Sequence, residues 1–273
     1  MSTALAHVRQ ADDLRVTTPR VVHMEWIKFR SLRSTMYTLA VAVVLLVGFG
    51  VLLTSLQGTG TGPDEGGDLA ATDPTSLSLS GTMLAALAIA VLGVLMTAGE
   101  YATGTIRATF SAVPARLPVL WGKAVAFAAA AFLPMLAATL VAFLAGQAIL
   151  SARGFPSAAL SDPGVLRAVA GAAVYLTGAG LIGLAVGALL RNTAASITTV
   201  VGALFVVPGL IQLLPDSWSG NISPYLPSNA AGSFMAVRPS SDSLSTWPGL
   251  AVFAAYIAIL LAGAAVALKR RDA

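Results

Sequence analysis

Cysteine is missing from the 273 residues altogether, and histidine occurs only twice, as His7 and His23. The first absence removes disulfides, thiolate metal sites and thiol nucleophiles together. The second confines imidazole acid–base or metal chemistry to the polar N-terminal tail. Charge is also scarce: 10% of residues are Asp, Glu, Lys or Arg, against about a quarter in an ordinary soluble domain. No GxxxxGK[ST] phosphate loop occurs, which excludes nucleotide hydrolysis by that route. No HExxH occurs and no Ser–His pair can meet inside the apolar runs, so intramembrane proteolysis by serine or metal is disfavoured. No acid lies deep in any apolar run. A proton- or sodium-coupled carrier ordinarily buries one near the membrane midplane, so the energy for any transport has to come from elsewhere.

What the chain has in plenty is apolar residues, 56% of the total, with a mean hydropathy of +0.82. Six runs each supply roughly the 20 apolar residues that cross a bilayer. They are Tyr37–Leu56, Leu79–Ala98, Ala124–Leu150, Leu166–Leu190, Ala194–Leu214 and Leu250–Leu268. Helix is the expected form, because unpaired amides cannot be left in lipid and barrel strands would be shorter and alternating. The expected fold is thus an all-α integral membrane protein whose six spans occupy residues 37–268. Pro134 and Pro208 fall inside spans three and five and are expected to kink them. Gly183 and Gly187 in span four form a GxxxG pair, which fits close packing within the bundle or a dimer face equally well. The neutral polar residues of the spans, Thr139, Gln147, Tyr175, Thr177, Thr198, Thr199 and Gln212, either line a path or bond between helices.

The net charge of +4 reports topology rather than nucleic-acid binding. Thirteen of the sixteen basic residues fall on one side: Arg9, Arg15, Arg20, Lys28, Arg30 and Arg33 before span one, Arg107, Arg116 and Lys123 after span two, Arg191 after span four, and Lys269, Arg270 and Arg271 at the end. The other side has only Arg153, Arg167 and Arg238, and its first loop carries Asp64, Glu65, Asp68 and Asp73. The positive-inside rule places both termini in the cytoplasm of a cell membrane. Arg167, near an outer helix end, reads as a snorkelling side chain.

Residues 1–23 read as a polar cytoplasmic tail, too long to be the charged region of a cleavable signal peptide. Residues 24–36 read as a helix in the headgroup layer, where Trp26 and Phe29 mix with Lys28, Arg30 and Arg33. Residues 269–273 form a short cytoplasmic tail. Between spans five and six, residues 215–248 are too apolar for a plain aqueous loop, with Trp218, Ile222, Tyr225, Leu226, Phe234, Met235 and Trp247. Short helices at or dipping into the outer leaflet explain that composition.

The stretch from Gly99 to Lys123, GEYATGTIRATFSAVPARLPVLWGK, is the longest polar interruption on the basic side. Ile106, Phe110 and Val113 recur at i, i+4 and i+7, one face of a helix from which Arg107 falls away. Thr105 is placed to cap its start, and Pro114 ends it. Two readings fit: a solvated loop with one interfacial turn, or a helix that hands movement from a soluble partner to the flanking spans. Glu100, at the end of span two, is either solvated or meets a basic surface on such a partner.

Three stretches resemble the permease subunit of type-2 ATP-binding-cassette (ABC) exporters. EWIKFRSLRST at Glu25–Thr35 is similar to that family's interfacial connecting helix, with Glu25, Trp26, Lys28, Phe29, Arg30 and Arg33. GEYATGTIRATFSAVPARLPVLWGKA resembles the coupling-helix loop of its actinobacterial members, matching at Glu100, Tyr101, Gly104, Thr105, Ile106, Arg107, Pro114 and Arg116. LLRNTAASI at Leu189–Ile197 and YLPSNAAG at Tyr225–Gly232 are similar to the turn after span four and to the outer segment before span six.

The resemblance implies a substrate pathway built by two permease subunits, the same or different. Each would dock on a separate cytoplasmic ATPase that binds ATP and Mg, leaving this chain without cofactor or catalytic residues. It favours the coupling role for Glu100 and short re-entrant helices within 215–248. From a different class, a non-transporting membrane anchor or assembly protein that recruits a cytoplasmic partner needs the same loop but no substrate path.

Overall fold

A computed structural model describes residues 17–57, 73–238 and 243–270. The tail before Thr17, the loop acids Asp64, Glu65 and Asp68, and Arg271 lie outside the described residues. Among the described residues the regular structure is entirely helical, as it must be where no water is available to satisfy a backbone amide.

The chain opens with α1 (Thr18–Ser31), followed by α2 (Arg33–Leu56), the short α3 (Pro74–Ser78), α4 (Thr82–Thr103) and α5 (Thr105–Ala112). Then come α6 (Leu117–Ala152), α7 (Val165–Leu190) and α8 (Thr193–Val201). The last leads without a break through a π-helical segment (Gly202–Val206) into α9 (Val207–Ile211). After α10 (Asp216–Ile222) and a 3-10 turn (Ser223–Tyr225), α11 (Pro227–Met235) and α12 (Thr246–Arg270) complete the chain. Among the described residues six stretches are long and apolar enough to cross a membrane: α2, α4, α6, α7, the α8–α9 run and α12.

Helix α7 is the most buried of the six and lies at the centre, packed most extensively on α4. Its glycines explain how. A Cβ on Gly183 would stand 2.1 Å from the Ala90 carbonyl oxygen, one on Gly187 2.2 Å from Thr97 Oγ1, and one on Gly93 1.9 Å from the Gly180 carbonyl oxygen. The two backbones touch, and Thr97 Oγ1 donates a hydrogen bond across to the Leu184 carbonyl at 2.9 Å. The GxxxG pair is therefore used inside this chain. Helices α2, α8–α9 and α12 lie outside that centre and expose apolar side chains such as Val44, Leu210 and Ile259.

Helix α1 starts at Thr18, not near residue 24, with Pro19 in its first turn where a missing N–H costs nothing. Its buried stripe is Val21, Glu25 and Phe29 at i, i+4 and i+8. A charged residue in the middle of that stripe hides its period from a reading of hydropathy alone. Leu32, extended at φ −80° and ψ 111°, separates α1 from α2 and lets α1 fold back on α6. Phe29 meets Phe127 edge-on there, with ring centroids 6.2 Å apart.

Pro134 is accommodated within α6, which runs unbroken from Leu117 to Ala152. Pro208 stands two residues past the end of the π segment, so that the carbonyl it would crowd, that of Leu204, lies within it. A proline lacks the N–H for the usual bond and crowds the carbonyl four residues back, and one wide turn relieves both problems.

At the end of the bundle away from the termini, Gln147 fills a polar gap. Its Nε2 donates to the Pro74 carbonyl and to Ser78 Oγ, each at 2.9 Å, while its Oε1 accepts from the Ala158 N–H at 2.7 Å. Thr139 and Thr177 hydrogen-bond carbonyls of their own helices instead. Arg167 does not snorkel. Its guanidinium donates to the Ala236 and Val237 carbonyls at 2.9 and 3.3 Å and to Thr246 Oγ1. These carbonyls belong to the two residues that follow α11, so the guanidinium ties the chain leaving that helix to α7.

The packing of α4 on α7 yields a paired prediction. Gly93→Ala is expected to lower the thermal midpoint of the detergent-purified protein, at a cost of about 1–3 kcal/mol for overpacking. Gly48→Ala, which meets nothing within 4 Å, is expected to leave it level or raise it slightly. Scanning fluorimetry on both variants checks this.

Candidate functional site

The end of the bundle that bears α1 and α5 contains two acids and two lysines drawn from three helices. Glu25 comes from α1, Glu100 from the last turn of α4 and Lys123 from the start of α6, while Lys28 sits one turn beyond Glu25 on α1. Lys123 Nζ donates to Glu25 Oε2 and to Glu100 Oε1, both at 2.7 Å. Lys28 Nζ donates to Glu25 Oε1, Glu100 Oε1 and Thr109 Oγ1, each at 3.2 Å. Thr109 brings in α5. One small cluster thus links four helices.

Burial sets its energetics. Glu25 is 0% exposed and the Lys123 side chain 3%. Charges in so dry a place are tolerated only when paired and hydrogen-bonded. The two acids and two ammonium groups balance within the cluster. Lys28 is more open. Burial pulls its ammonium down, but Glu25 and Glu100 outweigh burial by charge and hydrogen bonding, so its pKa stands above the ordinary 10.5. A raised lysine contributes stability in full below its unfolded value and loses it as pH climbs through the folded one. The Lys28 contribution is therefore complete at physiological pH.

The connection from α4 to α5 depends on Gly104, which ends one helix and caps the next in a left-handed conformation at φ 74°. Thr105 does not provide the cap; its Oγ1 lies 3.0 Å from Thr103 Oγ1. Ile106, Phe110 and Val113 are buried and turn α5 onto the bundle, while Arg107 stays exposed. Helix α5 stops at Ala112, and Val113 takes φ −130° ahead of Pro114, as a residue preceding proline does.

Two arginines stack on rings beside this helix. The Arg116 guanidinium lies 5.6 Å from the Phe110 centroid, and that of Arg191 lies 5.2 Å from Tyr101. Both have positive φ, 53° and 54°, uncommon for a side-chain-bearing residue. The turn at Arg191-Asn192 is thereby packed onto the end of α4.

The expected site residues therefore divide. Glu25, Lys28, Phe29, Glu100 and Ile106 come together at or beside the cluster, with Tyr101 and Arg116 packed around it. Trp26 is half-buried, whereas Arg30, Arg33, Arg107 and Pro114 face outward. Glu100 is held by two lysines of its own chain. Lys123, read from sequence only as a topology charge, proves central. One signal pointed to it: apart from the terminal tails, Glu25 and Glu100 are the only acids on the basic side, and an acid entering a bundle needs a cation. Among the described residues no group of three His, Asp or Glu is placed to hold a metal ion. The cluster's lysines and carboxylates are engaged with one another. Its chemistry is that of a clamp.

Residues 20–273 match a family described as ABC-2 family transporter protein. The chain belongs to the ABC-2 transporter family. It is a multi-pass membrane component of a transporter and not itself catalytic, and membership implies partnership with an ABC ATPase. No curated protein matches the chain. In this ABC-2 permease the family match begins at Arg20, inside α1, so it takes in every member of the cluster.

A double substitution tests the clamp. Glu25→Leu alone leaves Lys123 buried with one carboxylate fewer and is expected to cost about 3–5 kcal/mol. Adding Lys123→Met removes the orphaned charge, leaves Lys28 with Glu100, and is expected to restore more than half of the loss. Thermal midpoints of the two single variants and the double variant give the coupling directly.

Proposed function

We propose that this chain is the permease subunit of an ATP-driven exporter in the cell membrane, with both termini in the cytoplasm. A second permease subunit completes the substrate path, and a separate ATPase binds ATP and Mg on the cytoplasmic side. The observation that carries this reading is the cluster joining α5 to α1, α4 and α6 through Thr109, Lys28, Glu25, Glu100 and Lys123.

Helix α5 is the coupling helix. Its buried face holds it to the bundle, and its outer face offers Arg107 to the ATPase, with Arg116 and Arg191 close by. Basic groups there suit an acidic partner surface and steer its approach. Movement of the ATPase displaces α5. Because the cluster ties α5 to two spans and to α1, the four helices move as one body rather than bending separately. Helix α1 lies in the headgroup layer, where exposed Arg20, Ile27 and Arg30 meet lipid and its buried stripe meets α6. Helices α10 and α11 form the re-entrant segment at the outer leaflet, supported by the exposed Trp218 and Tyr225 and by the buried Phe234. Among the described residues the one acid in a spanning helix is Glu100, in the last turn of α4 and paired with two lysines rather than near the midplane where ion coupling needs it, which favours the nucleotide as the source of work.

Arg107→Glu is the cleaner test, because a lysine at Glu100 would place three ammonium groups in one buried space. In vesicles holding the permease–ATPase complex, this variant is expected to insert and assemble normally. Its transport should fall about tenfold or more, the effect of inverting a charge at a docked surface. Wild-type transport at equal expression, or transport that persists after ATP depletion, overturns the coupling role. A complex that keeps its ATPase but moves no cargo identifies an anchor instead.

A further inference from the structure

Next to the clamp is a cavity of about 740 Å³ between the start of α2, the second half of α4 and helices α1 and α5. That is the size of a site for a drug-sized ligand. Its lining is graded. Leu92, Leu95 and Met96 of α4 form an apolar wall, and Glu100, Thr103 and Thr105 mark the other end. From Leu92 to Thr103 the helix rises about 16 Å, close to one leaflet of a hydrocarbon core about 30 Å thick. Leu32 and Leu95, both lining the cavity, are 51% and 40% exposed, so it communicates with its surroundings.

The polar end favours one kind of head. All three N–H hydrogens of Lys28 are engaged, by Glu25, Glu100 and Thr109. Lys123 is buried between the same two carboxylates. An anionic head therefore finds no ready cation. A cationic head would add a third positive charge to a balanced cluster, at the desolvation cost of an unpaired ion.

Hydroxyls, by contrast, are in surplus. Glu100 Oε2 accepts no hydrogen bond but is itself shielded from the cavity, so the neutral hydroxyls are what a ligand meets. The Thr38 hydroxyl, which lines the cavity, donates to its own helix carbonyl at Ser34 and leaves its oxygen to accept, while Thr103 and Thr105, also lining it, share one hydrogen bond and each keep a lone pair. A neutral head rich in hydroxyl donors matches that set.

We propose that this cavity binds an uncharged amphiphile, with a single alkyl tail along Leu92–Met96 and a polyol head against Thr38, Thr103 and Thr105. The site lies within one chain and needs no nucleotide.

Photolabelling tests it. The full chain is placed in phosphatidylcholine nanodiscs and exposed to an alkyl glucoside bearing a diazirine in its tail. Labelled peptides are mapped by mass spectrometry. The glucoside is expected to label the segment Leu92–Met96. An alkyl phosphate and an alkylammonium with the same tail should label it about tenfold less, as loss of matched head contacts predicts. Leu95→Trp, which fills the cavity, is expected to reduce glucoside labelling about tenfold. Leu87→Trp, outside the cavity on the same helix, should leave it unchanged, and both variants are compared at equal thermal midpoints.

Equal labelling by the three heads overturns the choice of head, and with it the proposal. Undiminished labelling in Leu95→Trp overturns the site. Cross-linking of this segment only to a second copy of the chain makes the cavity an interface, and also overturns it. None of these outcomes involves the ATPase, so the coupling role of α5 is judged separately by Arg107→Glu.

Discussion

A charge removed from water must find its opposite, and that requirement organises the basic end of this protein. Glu25 is wholly buried and Lys123 nearly so, 2.7 Å apart on two different helices. Neither residue can be understood without the other. Their pairing pulls α1 onto α6. The second carboxylate, Glu100, draws the end of α4 to the same ammonium, and Lys28 extends the set to α5. The apolar contacts around it, such as Phe29 on Phe127, are non-directional and would tolerate sliding. The ion pairs do not, because each has a fixed partner atom. Specificity of arrangement, more than net stability, is what such a cluster contributes here.

The bundle further in is held by a different force. With lipid tails as apolar as leucine, helices associate through close packing and hydrogen bonds rather than by burying grease from water. Gly93, Gly183 and Gly187 let α4 and α7 approach to backbone contact, and Thr97 adds a hydrogen bond there. A rigid α4–α7 pair joined to a charge clamp at one end forms a lever. On the proposed coupling role of α5, movement applied there would be carried into α4, and through α4 into the middle of the bundle.

Much of this was legible in the residues. The six apolar runs, the α5 face of Ile106, Phe110 and Val113, and its stop before Pro114 follow from local spacing and the geometry of proline. What was not legible depended on distance along the chain. Glu100 meets Lys28 across 72 residues, and Lys123 meets Glu25 across 98. No periodicity encodes such a pairing. The beginning of α1 escaped notice because its central inward residue is an acid. Small residues at Gly183 and Gly187 announced a close neighbour without saying which helix it was. Thr105 looked like a cap because threonine often is one, but Gly104 ahead of it reaches a left-handed turn more cheaply. Arg167 had a nearer set of acceptors, the carbonyls after α11, than the interface it was expected to seek.

The π segment in the α8–α9 run has a geometrical consequence. The inward residues of that run are Ser196, Val200, Leu204 and Pro208, four apart throughout. In an ideal helix a four-residue step overshoots a full revolution by about 40°, so three steps would drift by about 120° and swing Pro208 outward. One surplus residue in a wide turn winds the phase back by about 100°. The inward row therefore stays almost straight along the whole run, and the outward side presents the exposed apolar residues Val206, Val207 and Leu210.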